Sequence, residues 1–222
     1  MLHYLQELFR ALDLGHLSGA LQRVTAVLLC LTVHETCHGL AAWRLGDPTA
    51  KEAHRLSLNP LRHIDWIGFA MMLVCGFGWA KPVGVDMRYF KNPKRDMALT
   101  ALAGPVSNLL LAFLLMFASR GIYLYAPYGP VWDGVYGFLL YTAALSIGLG
   151  LFNLLPIPPL DGSKVLGALL PDRAYQFQLR WERYGILLLL ALSLADVGGG
   201  LIGDAVAAVY GGMMRLIYFG LR

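Results

Sequence analysis

The sequence predicts an all-α polytopic membrane protein, and three observations carry that prediction. Of 222 residues, 57% are hydrophobic and only 14% are charged, whereas soluble domains carry about 25% charged residues. The apolar residues fall in blocks long enough to cross a hydrocarbon core of about 30 Å. No hydrophilic stretch is long enough for an accessory globular domain.

About five or six membrane segments are expected. The first runs from Leu21 to Leu45. The second, Ile64 to Ala80, is shorter and glycine-rich, and it ends in Gly78-Trp79-Ala80-Lys81-Pro82-Val83. That ending predicts a short strand or re-entrant element near residues 64–85 rather than a helix end. The third segment runs from Met97 to Ser119. The fourth runs from Val135 to Leu155 and breaks at Pro156-Ile157-Pro158-Pro159. The fifth, Tyr184 to Ala195, is too short to span unless it extends back through Arg183. Gly198-Gly199-Gly200 separates it from a sixth, Leu201 to Phe219. The first nineteen residues mix polar and apolar types and lack a signal-peptide layout, so the first span is expected to be retained.

Charge sets the expected orientation. The net charge of +4 reflects topology in a chain of this kind and does not point to nucleic acid. Arg88, Lys91, Lys94 and Arg95 precede the third segment, and Lys164, Arg173, Arg180 and Arg183 follow the fourth. The stretch from Arg120 to Asp133 holds a single basic residue. By the positive-inside rule the basic stretches face the cytoplasm and the Arg120 loop faces outward. Arg44, Lys51, Arg55 and Arg62 are equally basic, so the second segment is expected to enter and leave on the same side. Trp43, Trp66, Trp132, Tyr184 and Tyr218 sit near segment ends, as in an interfacial aromatic belt. Cys30, Cys37 and Cys75 show neither disulfide nor zinc-finger spacing and read as buried thiols.

One feature of the first segment is costly. His34-Glu35-Thr36-Cys37-His38 places two imidazoles and a carboxylate in an apolar run, where ionisable groups need a functional reason. Residues four apart on an α-helix lie about 40° apart around the axis. His34 and His38 can therefore point at one metal ion, and Glu35 is placed to act on water held there. A catalytic zinc takes three protein ligands. Asp161 is the outstanding third candidate, because it follows the proline break, and broken helices at membrane depth line polar cavities. Asp65, Asp133, Asp196 and Asp204 are weaker candidates, since none sits in such a break. His54 and His63 lie in loops, where hydrogen bonding to nearby backbone is the simpler expectation. Gly104-Pro105 reads as a close-packing element and helix start.

With these motifs in order, the chain resembles the site-2 protease family of intramembrane zinc metalloproteases. His34-Glu35-x-x-His38 is followed by Leu45-Gly46-Asp47-Pro48, Leu58-Asn59-Pro60-Leu61, Gly78-Trp79-Ala80-Lys81-Pro82-Val83, Ala103-Gly104-Pro105-Val106-Ser107-Asn108 and Asn153-x-x-Pro156 to Leu160-Asp161-Gly162. The match is to the compact prokaryotic branch without PDZ or CBS domains and covers about residues 20–220. The resemblance implies His34, His38 and Asp161 as ligands of Zn2+ and Glu35 as general base and acid. It also implies Asn153 near the scissile carbonyl. There Asn153 is a candidate oxyanion donor and Asn108 a lesser one, and hydrogen bonding between helices is the simpler expectation for Asn108. It implies a single membrane-embedded metalloprotease domain over 1–222, with a catalytic core at about 20–165 and C-terminal hydrophobic segments at about 183–219. The expected function is hydrolysis of peptide bonds in or near transmembrane segments of protein substrates. The expected location is the cytoplasmic (inner) membrane of a prokaryote, with the site toward the cytoplasmic side. The partners are then a transmembrane substrate and the lipid bilayer. A metal transporter is the rival reading, since intramembrane His and Asp also mark ion paths. It should show several sites or a repeat, whereas the sequence offers one cluster and no repeat. A catalytically silent relative is disfavoured by the intact Glu35.

Overall fold

The computed structural model describes residues 14–68, 81–185, 187–189 and 199–220. Seven α-helices are described: α1 (Leu14–Arg44), α2 (Thr49–Glu52), α3 (Pro93–Tyr125), α4 (Pro130–Asn153), α5 (Asp161–Leu169), α6 (Asp172–Trp181) and α7 (Gly199–Met214). A π-helical turn, Arg215–Gly220, extends α7. Four stretches are long and apolar enough to cross a membrane: Gly19–Arg44, Pro93–Tyr125, Pro130–Asn153 and Gly200–Gly220. No strand occurs among the described residues. The architecture is that of an all-α polytopic membrane protein. Residues 69–80 and 191–198 lie outside the described residues, and with them most of the expected second segment and much of the fifth.

The expected segments differ from the helices mainly at their ends. α3 begins at Pro93, where a proline costs nothing because the first helical N–H has no intrahelical partner. It runs through Arg120 to Tyr125, so the loop expected to face outward shrinks to Ala126–Gly129. α4 stops at Asn153, just before the proline-rich break, as the sequence pattern requires. Pro105 is a correction: it lies inside α3 rather than at a helix start. The ring removes one backbone donor there. Opposite it, a Cβ on Gly150 of α4 would come 3.1 Å from the Pro105 carbonyl, so the two backbones approach closely. Small residues let helices pack tightly where lipid offers no hydrophobic drive.

α3 is the central helix and packs against α1, α4 and α5. Its C-terminal half forms an apolar core with α4 and the C-terminal helix: Ala112, Met116, Ala143, Ile147 and Ile217 are fully buried. Leu110, Leu114 and Phe117 of the same helix are more than half exposed, as side chains facing lipid would be. Cys30 Sγ donates to the Thr142 carbonyl and Ser146 Oγ to the Asn108 carbonyl, adding polar links from α1 to α4 and from α4 to α3. Lys94 at the start of α3 pairs with Asp172 of α6 at 2.5 Å.

Candidate metal centre

The site is assembled from three helices. α1 presents His34 and His38 from successive turns, both buried. The break after α4 turns the chain so that Asp161 becomes the first residue of α5. Gly162 makes that turn possible, because a Cβ there would collide with the backbone of Leu154 and Leu155. The Asp161 side chain does not cap its own helix. It faces α1 instead, with Oδ2 at 3.1 Å from His34 Nε2 and 3.1 Å from His38 Nε2. The two Nε2 atoms are 2.9 Å apart. Among the described residues this is the one group of His, Cys, Asp or Glu arranged to hold a metal ion. Asp65 is spent on the backbone N–H groups of Ile67 and Gly68, while Asp133 lies in the first turn of α4 and Asp204 in α7. Asp196 lies outside the described residues.

The donor triangle suits a small tetrahedral cation. Metal–ligand bonds of about 2.0–2.2 Å give tetrahedron edges of about 3.4 Å, slightly wider than the 2.9–3.1 Å seen here. α3 supplies the wall behind the rings. A Cβ on Gly104 would lie 2.5 Å from His38 Cε1 and 2.6 Å from His34 Cε1, so only glycine leaves the imidazoles this space. One turn before it, the Thr100 carbonyl accepts from His38 Nδ1 at 2.7 Å. One turn after it, the Asn108 amide lies 3.1 Å from His34 Nδ1. Sequence reasoning missed this role of α3. The signal was available: Thr100, Gly104 and Asn108 recur every four residues, which is one helix face.

A cavity of about 160 Å³ opens beside the triangle and is lined by Glu35, Pro82, Val83, Thr100, Asn153 and Lys164 as well as the three donors. Glu35 Oε2 accepts from the Val83 N–H at 2.9 Å, which ties the helix to the non-helical stretch Lys81–Asp86. Two further bonds hold that stretch, Lys81 N–H to the His63 carbonyl and Asp86 N–H to Asp47 Oδ2. Of the expected strand-like ending, Lys81, Pro82 and Val83 are described and show no strand, whereas Gly78, Trp79 and Ala80 lie outside the described residues. Asn153 Nδ2 donates one hydrogen bond to the Leu149 carbonyl, leaving the second N–H of its amide. Asn108 does not line the cavity and instead meets His34 of α1, the contact between helices that is the simpler expectation for it. His63 is buried with Nε2 2.8 Å from the Ser57 carbonyl, the backbone role expected of it.

The family model for peptidase family M50 matches residues 121–195. YwhC of Bacillus subtilis is 38% identical over 180 residues, covering 79% of this chain and 81% of that protein. Rip2 of Mycolicibacterium smegmatis is 32% identical over 171 residues, covering 74% of this chain and 63% of Rip2. Both carry the name of a zinc metalloprotease. MJ0611 of Methanocaldococcus jannaschii, named likewise, is 36% identical over 105 residues, covering 45% of this chain and 49% of that protein. No solved structure matches. The length and identity of the YwhC match, with the family model, establish that the chain belongs to peptidase family M50, the site-2 protease family of metalloproteases.

Proposed function

We propose that the chain is an intramembrane zinc metalloendopeptidase that cuts peptide bonds in or near transmembrane segments of protein substrates. One observation carries this reading. Two histidines and an aspartate meet within 2.9–3.1 Å, and Glu35 shares their cavity, on a helix long and apolar enough to span a membrane. His34, His38 and Asp161 hold the zinc. Zinc in such a site polarises a peptide carbonyl and acidifies water to a pKa of about 7.

The chain's own residues do the rest. Glu35 takes the proton of the attacking water and returns it to the leaving amine. The Val83 N–H holds one of its carboxylate oxygens in place, so the other is aimed by a fixed group. The second N–H of Asn153 donates to the developing oxyanion; losing one such donor costs about 10²–10³ in rate. A substrate helix satisfies its backbone groups internally and must unwind locally to present a carbonyl. The Lys81–Asp86 stretch beside the cavity receives it in extended form. Arg44, Lys51, Arg55 and Arg62, which follow His38 in the sequence, support a site near the cytoplasmic face of a prokaryotic inner membrane. The whole unit acts as one membrane-embedded domain. The lone donor cluster among the described residues gives a transporter no series of sites to use.

The test is purified Glu35→Gln in proteoliposomes with a panel of single-span substrates. The expected outcome is wild-type zinc content with cleavage abolished. Cleavage at wild-type rate by this variant rejects the assignment of Glu35, and zinc flux into the vesicles moves the transporter ahead.

A further inference from the structure

We infer that Asn108 is a positioning residue for the metal centre: its side-chain carbonyl oxygen accepts from His34 Nδ1–H and so keeps His34 Nε2 free for the cation. This rests on the reading of His34 as a zinc ligand.

Asn108 is fully buried on α3. Its amide lies 3.1 Å from His34 Nδ1, while the opposite nitrogen of that ring faces His38 Nε2 and Asp161 Oδ2. A neutral imidazole carries one proton, on one nitrogen or the other. If the amide N–H donated to Nδ1, the ring proton would sit on Nε2 and block the lone pair that a metal needs. Turning the amide by 180° exchanges its oxygen and nitrogen without moving the chain. The oxygen then accepts from Nδ1–H, and Nε2 points its lone pair at the donor triangle.

His38 shows the same logic with no ambiguity. Its Nδ1 faces the backbone carbonyl of Thr100 at 2.7 Å, and a carbonyl only accepts. Nδ1 therefore holds the proton, and Nε2 is free. One face of α3 thus sets the tautomer of both histidines, with a main-chain oxygen for one and a side-chain oxygen for the other. Metal-bound histidines commonly donate their second N–H to such an acceptor, and removing it typically costs 10–100-fold in metal affinity. The contact between α3 and α4 does not depend on this amide, because Ser146 Oγ donates to the Asn108 main-chain carbonyl.

The experiment measures zinc affinity by chelator competition on the full chain in detergent. The proteins are wild type, Asn108→Leu, Asn108→Asp and His34→Ala. Thermal unfolding of each zinc-free protein and the visible spectrum of each cobalt-substituted one accompany the titration. Leucine keeps the size and removes the acceptor; aspartate offers only acceptors. The expected result is a 10–100-fold loss of affinity and a shifted cobalt band in Asn108→Leu, with Asn108→Asp within a few-fold of wild type. Wild-type affinity in Asn108→Leu overturns the inference, as does a tenfold or greater loss in a folded Asn108→Asp, which stands as the test even where the leucine variant does not fold. Undiminished affinity in His34→Ala would instead sink the ligand reading itself.

Discussion

The two halves of α3 solve opposite problems on one helix. The N-terminal half carries Thr100, Gly104 and Asn108 against the two histidines of α1. The C-terminal half carries Ala112 and Met116 against Ala143, Ile147 and Ile217. In the first, individual atoms matter: a nitrogen lone pair, a carbonyl, the space of one methyl group. In the second, volume matters and many apolar side chains would serve. The lesson is that damage to the first half should show in metal content and chemistry, and damage to the second in stability.

The largest effect is expected at the donors. Asp161→Ala should lose its zinc, measured as metal per chain, and cleavage with it; stripping wild type with a chelator should do the same, reversibly on adding zinc. Retained zinc in Asp161→Ala would mean a different third ligand. Next comes a pair on one helix. Gly104→Ala drives a methyl group into both imidazoles and should abolish zinc binding, whereas Gly121→Ala meets nothing within 4 Å and should leave zinc and activity unchanged. Equal zinc content in the two would break the distinction between the halves.

Met116→Ala should do the reverse. It empties a fully buried position and should destabilise by about 2 kcal/mol, near the low end for such truncations because lipid replaces water around the separated helices. Denaturant unfolding in micelles measures it, with zinc content unchanged. The smallest effect belongs to Asp172→Asn, which removes an exposed partner of Lys94. The hydrogen bond and charge of Lys94 hold the Asp172 carboxyl below its ordinary value. Any stabilisation is therefore present above the ordinary carboxylate pKa and lost as pH falls through the lowered one. Cleavage at neutral pH should not change.

Much of this was legible in the amino-acid sequence. Apolar block length marks the four membrane-length helices, because spanning lipid demands about twenty apolar residues. The spacing of His34 and His38 puts them on one face of a helix, since the helical period is local. The proline break picks out Asp161 among the five candidate aspartates, because a broken helix leaves backbone groups that line a polar cavity. Other matters were decided only by tertiary packing. The place of Pro105 inside α3, the clearance at Gly104 and the approach of Asn108 to His34 depend on how α3 lies across α1 and α4. No local periodicity encodes the distance between helices. Glu35 is similar: its residue type suggests a base, but its hold on the Val83 N–H joins positions 48 residues apart. Short-range rules fix what a residue is and which way its helix turns it; the neighbour it meets there follows from packing alone.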